Sequence, residues 1–163
     1  MFIILLAIAV IIFLIYKPIS KRYDYSIDEK ELYSYIKENT PNDTILLTPP
    51  HIESFRLGTM RATVADFKAV PFGEKSLMGW YERIVDLANG TELNLKNEKN
   101  FHINKLENSR RNEYLKNGYD SLTKEKILIL KEKYAFDYAI FEKPSSLNFT
   151  IIFESNKYVL YKV

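Results

Sequence analysis

The first sixteen residues, Met1 to Tyr16, read MFIILLAIAVIIFLIY and carry no charged side chain. No other feature constrains the chain as strongly, because a run apolar on every side must be taken out of water around its whole circumference. Lys17, Lys21 and Arg22 follow at once. As an α-helix, such a run covers roughly 24 Å at about 1.5 Å per residue. A bilayer core is about 30 Å thick and usually takes about 20 apolar residues. Snorkelling of Lys17 and the added length of Ile19 bring a tight span within reach. A cleaved signal peptide is the rival reading. It calls for basic charge ahead of the apolar run and small residues at a cleavage site. No basic side chain precedes Phe2, and Ile-Tyr-Lys-Pro-Ile-Ser-Lys has no small-x-small pattern. A buried core helix is the third reading. The expectation is an uncleaved single-span anchor over residues 1–17, a juxtamembrane linker over 18–25 and one domain over 26–163.

The rest of the chain has room for one domain. Residues that are 47% hydrophobic and 14% aromatic can fill its core. A net charge of +2 creates no large field, so nucleic acid is not an expected partner. The absence of cysteine excludes disulfides, thiol catalysis and Cys-ligated zinc. His51 and His102 sit in no metal-ligand spacing. No metal, no cofactor and no catalytic residue is expected.

Ser26-Ile-Asp-Glu29 is a capping box. It opens a helix with Leu32, Tyr35 and Ile36 on one face, closed before Pro41. The run Thr44–Thr48 reads as a buried parallel strand stopped by Pro49 and Pro50. A short helix follows from His51 or Ile52 to Leu57, ended by Gly58, and a second strand covers Ala62–Phe67. Leu77, Trp80, Tyr81, Ile84, Leu87 and Ala88 recur at helical spacing, with Asn89-Gly90 as the stop. Residues 91–118 read as a loop with one helical piece near Arg110–Lys116. Thr123 caps a helix carrying Ile127, Leu128, Leu130 and Tyr134. Strands follow at Tyr138–Glu142, Thr150–Glu154 and Tyr158–Lys162, the last two joined by a hairpin at Ser155-Asn-Lys157. Strands separated by helices imply a small three-layer α/β domain with parallel central strands and a C-terminal antiparallel hairpin, half of a doubly wound fold.

Ligands of open α/β sheets bind beyond the carboxyl ends of parallel strands. No Gly-rich phosphate loop follows the first strand, which excludes nucleotide binding of the usual kind. The densest cationic stretch is Arg56, Arg61 and Lys68, with Asp66 among them and Arg83 on the following helix. Arginine forks match phosphate and carboxylate. Two readings stand side by side: these cations surround a site for an anionic ligand, or each pairs with a surface carboxylate, Lys68 with Asp66 and the arginines with Glu53, Glu74 or Glu82. Trp80 and Tyr81 either stack on a sugar ring or pack into the core. His51 reads as a lone exposed loop histidine, the alternative being an acid–base pair with Glu53.

The segment Lys37-Glu-Asn-Thr-Pro-Asn-Asp-Thr-Ile-Leu-Leu-Thr-Pro-Pro50 resembles the soluble tail of bacterial multi-span proteins related to the glycosyltransferase-C superfamily, which includes protein mannosyltransferases and oligosaccharyltransferases. The continuation Phe55-Arg56, Arg61, Val64-x-Asp66-x-Lys68, Pro71-Phe72 and Trp80-Tyr81-x-Arg83 resembles an uncharacterised domain at the carboxyl end of such proteins. The likeness covers residues 28–90, with a looser match at Phe136–Glu142. It implies an extracytoplasmic domain after a final membrane helix. In that superfamily the catalytic acid lies between membrane helices near the amino end, which this chain does not carry. The chain is then the end of a longer reading frame or a separate accessory subunit. Lys17, Lys21 and Arg22 alone favour the cytoplasmic side for the domain. That rule presumes a complete single-span protein, and the resemblance takes precedence. The functional expectation is a non-catalytic domain held at the cell membrane. It would assist binding of a lipid-linked sugar phosphate or acceptor through Arg56, Arg61, Asp66, Lys68 and Arg83, beside a multi-span membrane partner. The alternative is a structural domain that packs on partner membrane helices without a ligand.

Overall fold

Ser26 starts the first helix by the reciprocal capping its sequence predicts. In the computed structural model, which describes residues 24–90 and 105–163, the Glu29 N–H donates to Ser26 Oγ at 3.2 Å, and the Ser26 N–H donates to the Glu29 carboxylate at 2.9 Å. Helix α1 (Ile27–Asn39) ends at Thr40, ahead of Pro41. It buries Leu32, Tyr33 and Ile36, whereas Tyr35 is only half-buried against Phe153. The anchor expected over 1–17, and the linker as far as residue 23, lie outside the described residues. Among the described residues, no helix is long and apolar enough to cross a membrane.

Five strands follow: β1 (Ile45–Leu47), β2 (Ala62–Thr63), β3 (Tyr138–Glu142), β4 (Thr150–Glu154) and β5 (Tyr158–Lys162). They form one mixed sheet in the order β2-β1-β3-β5-β4. β1 runs parallel to β2 and β3, and β5 runs antiparallel to β3 and β4. The expected mixed α/β class, with a parallel centre and a terminal antiparallel hairpin, is therefore the fold.

Side chains alternate across a strand, and both faces of this sheet are covered. Leu46, Tyr138, Ile140, Tyr158 and Leu160 pack with Leu32, Ile36 and Phe55 from α1 and α2 (Ser54–Thr59). Leu47, Ala139, Phe141, Val159 and Tyr161 pack on the other face. Their partners are Ile84 and Leu87 of α3 (Glu74–Leu87), Leu115 and Tyr119 of α4 (Lys105–Asp120), and Ile127 and Leu130 of α5 (Lys124–Tyr134). Each fully buried Leu or Ile contributes roughly 1.5–3 kcal/mol.

Three elements differ from the sequence reading. β2 stops at Thr63 and does not reach Phe67. Its neighbour β1 runs into Pro49 and Pro50, which have no N–H for a ladder. Beyond Thr63 the two segments keep only isolated bonds, Val64 N–H to Leu46 O at 3.0 Å and Phe67 N–H to Pro50 O at 2.9 Å. Second, α2 does not end at Gly58. It continues to Thr59 and stops at Met60, which adopts the left-handed conformation (φ 55°). Gly58 is required for close approach, since a Cβ there would run into the Tyr33 ring.

Third, α4 is longer than the expected piece at Arg110–Lys116 and replaces much of the expected loop, of which 91–104 lie outside the described residues. The helix is mostly polar, so periodicity conceals it, yet Leu115 and Tyr119 carry a buried stripe, continued by Leu122 just past its end. Tyr119 stacks on Phe141 at 4.7 Å and donates from its hydroxyl to Ile140 O at 2.8 Å. On α5, Leu128 is exposed and Ile127 and Leu130 face the core.

Two glycine substitutions test this packing. Gly58→Ala should destabilise the chain by about 1–3 kcal/mol, the range for overpacking. Gly79→Ala in α3, where no atom lies within 4 Å of the added Cβ, should be neutral or stabilise by up to about 1 kcal/mol. Thermal unfolding of the two variants beside wild type reads both signs.

Candidate functional site

β2 is the outer strand of the sheet, and a groove of about 580 Å³ runs along it between α2 and α3. Arg56 enters from α2, Arg83 from α3, and Arg61, Asp66 and Trp80 complete the wall. Four of the five residues singled out in the sequence are thus brought to one place. That place is the free edge of β2, not the carboxyl ends of β1 and β3.

The five play different parts. Arg61 is 6% exposed, and its guanidinium makes four hydrogen bonds inside the protein. Nη2 donates to Lys37 O at 3.0 Å and Thr40 O at 2.9 Å, Nε to Thr40 Oγ1 at 3.2 Å, and Nη1 to Met60 O at 3.3 Å. It caps the carbonyl end of α1, where a cation is favoured by the helix dipole. Four of its five N–H groups are thus taken up within the protein, so Arg61 stands in the groove wall chiefly as a structural clamp. Lys68 stands outside the groove and pairs with Glu53. The Lys68–Asp66 ion pair is replaced by a backbone contact, the Lys68 N–H donating to Asp66 Oδ1 at 2.9 Å. Half-burial pushes the Asp66 carboxyl above its ordinary pKa, and the Lys68 N–H and the charge of Arg56 oppose that rise.

Arg56 and Arg83 are exposed. The carboxylates expected to pair with them are engaged elsewhere or stand apart. Glu53 holds Lys68, and Glu82 accepts from Lys133 Nζ at 2.6 Å. Among the described residues neither arginine makes an ion pair or a side-chain hydrogen bond. Trp80 settles as core: it is 9% exposed, tilts on Phe67 at 5.6 Å and donates its indole N–H to Asp66 O at 2.9 Å. Most of the residue is packed inside even though it borders the groove, and its N–H fixes the segment that bears Asp66.

The carboxyl ends of the parallel strands hold a set that sequence reasoning passed over. Glu142, at the end of β3, meets Lys116 at 2.5 Å and Lys157 at 3.3 Å, and Lys116 also meets Asp120 at 2.9 Å. Two cations and two carboxylates neutralise one another there. Burial alone would raise the Glu142 carboxyl, but Lys116 and Lys157 hold it below the usual range. His51 lies within their field. It is half-buried and not the exposed loop residue expected, and its Nδ1 is buried with no hydrogen-bond partner among the described residues. Burial holds its pKa below the ordinary value, Glu142 opposing. The only sequence signal was its place after Pro49-Pro50, which turns the chain back over the strand ends. Among the described residues no group of His, Asp and Glu could hold a metal ion.

Residues 27–87 match a family described as a domain of unknown function (DUF6798). The matched stretch runs from α1 through α3 and contains Arg56, Arg61, Asp66, Lys68 and Arg83. No curated protein and no solved structure matches the chain.

Two outcomes follow from this geometry. Arg61→Ala should lower unfolding free energy by about 2–4 kcal/mol, because buried carbonyls lose their donors, and Arg61→Lys should not restore it, since one ammonium cannot span the fork. Urea titration reads both. For His51 the folded pKa lies below the unfolded value of about 6.5. The unfolded chain therefore binds the proton first as pH falls, and the stability held by neutral His51 is complete above that value and declines beneath it. Between about pH 7.5 and 5.5 wild type should lose more stability than His51→Gln. An equal loss in both proteins would show that His51 is solvated.

Proposed function

We propose that this chain is a non-catalytic, membrane-tethered binding domain of a glycosyltransferase-like membrane protein, and that the groove beside β2 takes the phosphate of a lipid-linked sugar. One observation carries the reading: Arg56 and Arg83 line the same groove, and among the described residues neither makes an ion pair, although Asp66 in the same wall feels the charge of Arg56. A phosphate oxygen pair accepts charge-assisted bonds from an arginine fork, which are shorter and stronger than neutral ones. Asp66 in the same wall opposes a second anion and leaves room for hydroxyl donors of a sugar. The uncharged run from Met1 to Tyr16 supplies the tether, and the resemblance to carboxyl-terminal tails of multi-span transferases supplies the extracytoplasmic setting and the multi-span partner.

The test is a titration of the detergent-solubilised full chain with a short polyprenyl phosphate. Wild type should bind, and Arg56→Ala with Arg83→Ala should lose about tenfold or more in affinity, about 1.4 kcal/mol per factor of ten. Lys133→Ala, whose ammonium meets Glu82 and Asp86 away from the groove, should bind as wild type does. Equal binding by all three proteins, or binding by none, leaves the groove without this role. A carbonate wash of expressing membranes tests the tether, and release of the full chain would remove it.

A further inference from the structure

We infer that the loop over residues 69–72, with the cations around it, is a membrane-contacting surface that lays the Phe72 ring into the interfacial layer of an anionic bilayer. The inference rests on the tethered reading above and adds the face by which the domain meets the lipid. Phe72 is 101% exposed, and Val70 beside it is 49% exposed. A ring presented wholly to water is unusual where a core stands ready to take it, and Trp80, two turns along α3, is buried in that core. Gly73, at φ 94°, lets the chain turn sharply into α3 directly after Phe72. That turn holds the ring away from the protein.

The surroundings are cationic. Pro71 and Ala69 wall a second groove of about 440 Å³ together with Lys75, Trp80 and Arg83. Ala69, Trp80 and Arg83 also line the groove of Arg56, so the two depressions meet at the loop. Lys75, Arg83 and Arg56 make no ion pair among the described residues. The nearby carboxylates are Asp66, Glu74 and Glu53, the last held by Lys68. Leu57 and Met60, at the far rim of the groove, are exposed as well. An aromatic apex amid unpaired Lys and Arg is the composition that anionic bilayers attract: rings settle at headgroup depth and basic side chains meet acidic headgroups. The charge complementarity of Lys75, Arg83 and Arg56, which make no ion pair among the described residues, to acidic headgroups favours a lipid surface over a protein partner. The chain's own apolar run keeps a bilayer close. Even fully extended, residues 17–23 reach at most about 25 Å. A headgroup phosphate drawn to Arg56 and Arg83 would then enter the groove from the lipid side.

The chain contains no cysteine, so Phe72→Cys and Ile151→Cys each create one attachment site for an environment-sensitive dye. Ile151 is exposed on β4, the edge strand opposite β2. Each labelled full chain, with wild-type circular dichroism, is reconstituted into vesicles of phosphatidylglycerol and phosphatidylcholine. On the Phe72→Cys chain the dye should emit at shorter wavelength and be quenched by lipids spin-labelled in the acyl chain. The Ile151→Cys chain should show neither effect. Adding Arg56→Ala, Lys75→Ala and Arg83→Ala to the Phe72→Cys chain should abolish the quenching. Water-like emission from the Phe72→Cys chain, or equal quenching of both chains, overturns the inference. A carbonate-resistant chain that binds polyprenyl phosphate yet keeps the dye of Phe72→Cys in water refutes this surface alone. A chain released by carbonate refutes the tether on which both readings stand.

Discussion

The buried guanidinium of Arg61 is the contact on which the edge of this fold depends. A cation out of water is costly unless its donors find acceptors. Here the acceptors are Lys37 O, Thr40 O and Oγ1, and Met60 O. The bonds tie the end of α1 to the beginning of β2 across more than twenty residues of chain. Thr40 Oγ1 in turn donates to Ile36 O at 2.7 Å, so cap and clamp form one unit. Among the described residues no carboxylate takes part, and the partial negative charge of a helix end stands in for one. With α1 and β2 locked together, α2 and Gly58 have one place to lie, against Tyr33.

That lock also explains why the groove is where it is. β1 supplies only three residues to the ladder because two prolines follow it. β2 therefore remains short, which blunts an exposed edge against unwanted pairing. The chain past Thr63 leaves the sheet, and its backbone carbonyl at Asp66 receives the Trp80 indole. α3 is thereby held beside the edge with Arg83 facing Arg56 across the groove. The ends of the parallel strands, where comparable sheets take ligands, are occupied by the chain's own ion pairs around Glu142. Free cationic capacity has been moved from the strand ends to the strand edge.

Much of this was readable in residue order. The Ser26–Glu29 box, the stop at Pro41, the strands Tyr138–Glu142, Thr150–Glu154 and Tyr158–Lys162 and the hairpin between the last two rest on local chemistry, and local chemistry is written in adjacent residues. The α3 stripe of Trp80, Ile84 and Leu87 was equally plain. The candidate site was legible only as a set. Arg56, Arg61, Asp66 and Arg83 do share a wall, yet nothing in their spacing distinguishes a buried clamp from a free arginine. α4 was half hidden, because its buried stripe of Leu115 and Tyr119 sits in a polar helix that tertiary contact alone makes worth burying.

The α/β class, the caps, the parallel centre flanked by helices and the uncharged apolar run at the amino end were all legible in residue order. Those features follow from periodicity, turn residues and the absence of charge, each decided within a few residues. Which cation is which came from the packing of elements distant in the chain. Arg61 became a structural clamp because the end of α1 lies against β2, and Lys68 became a surface partner of Glu53. Arg56 and Arg83 were left lining one groove without an ion pair among the described residues, while Glu53 and Glu82 were drawn to Lys68 and Lys133. A charge's role depends on what stands within a few ångströms of it, and that distance is fixed by residues far along the chain.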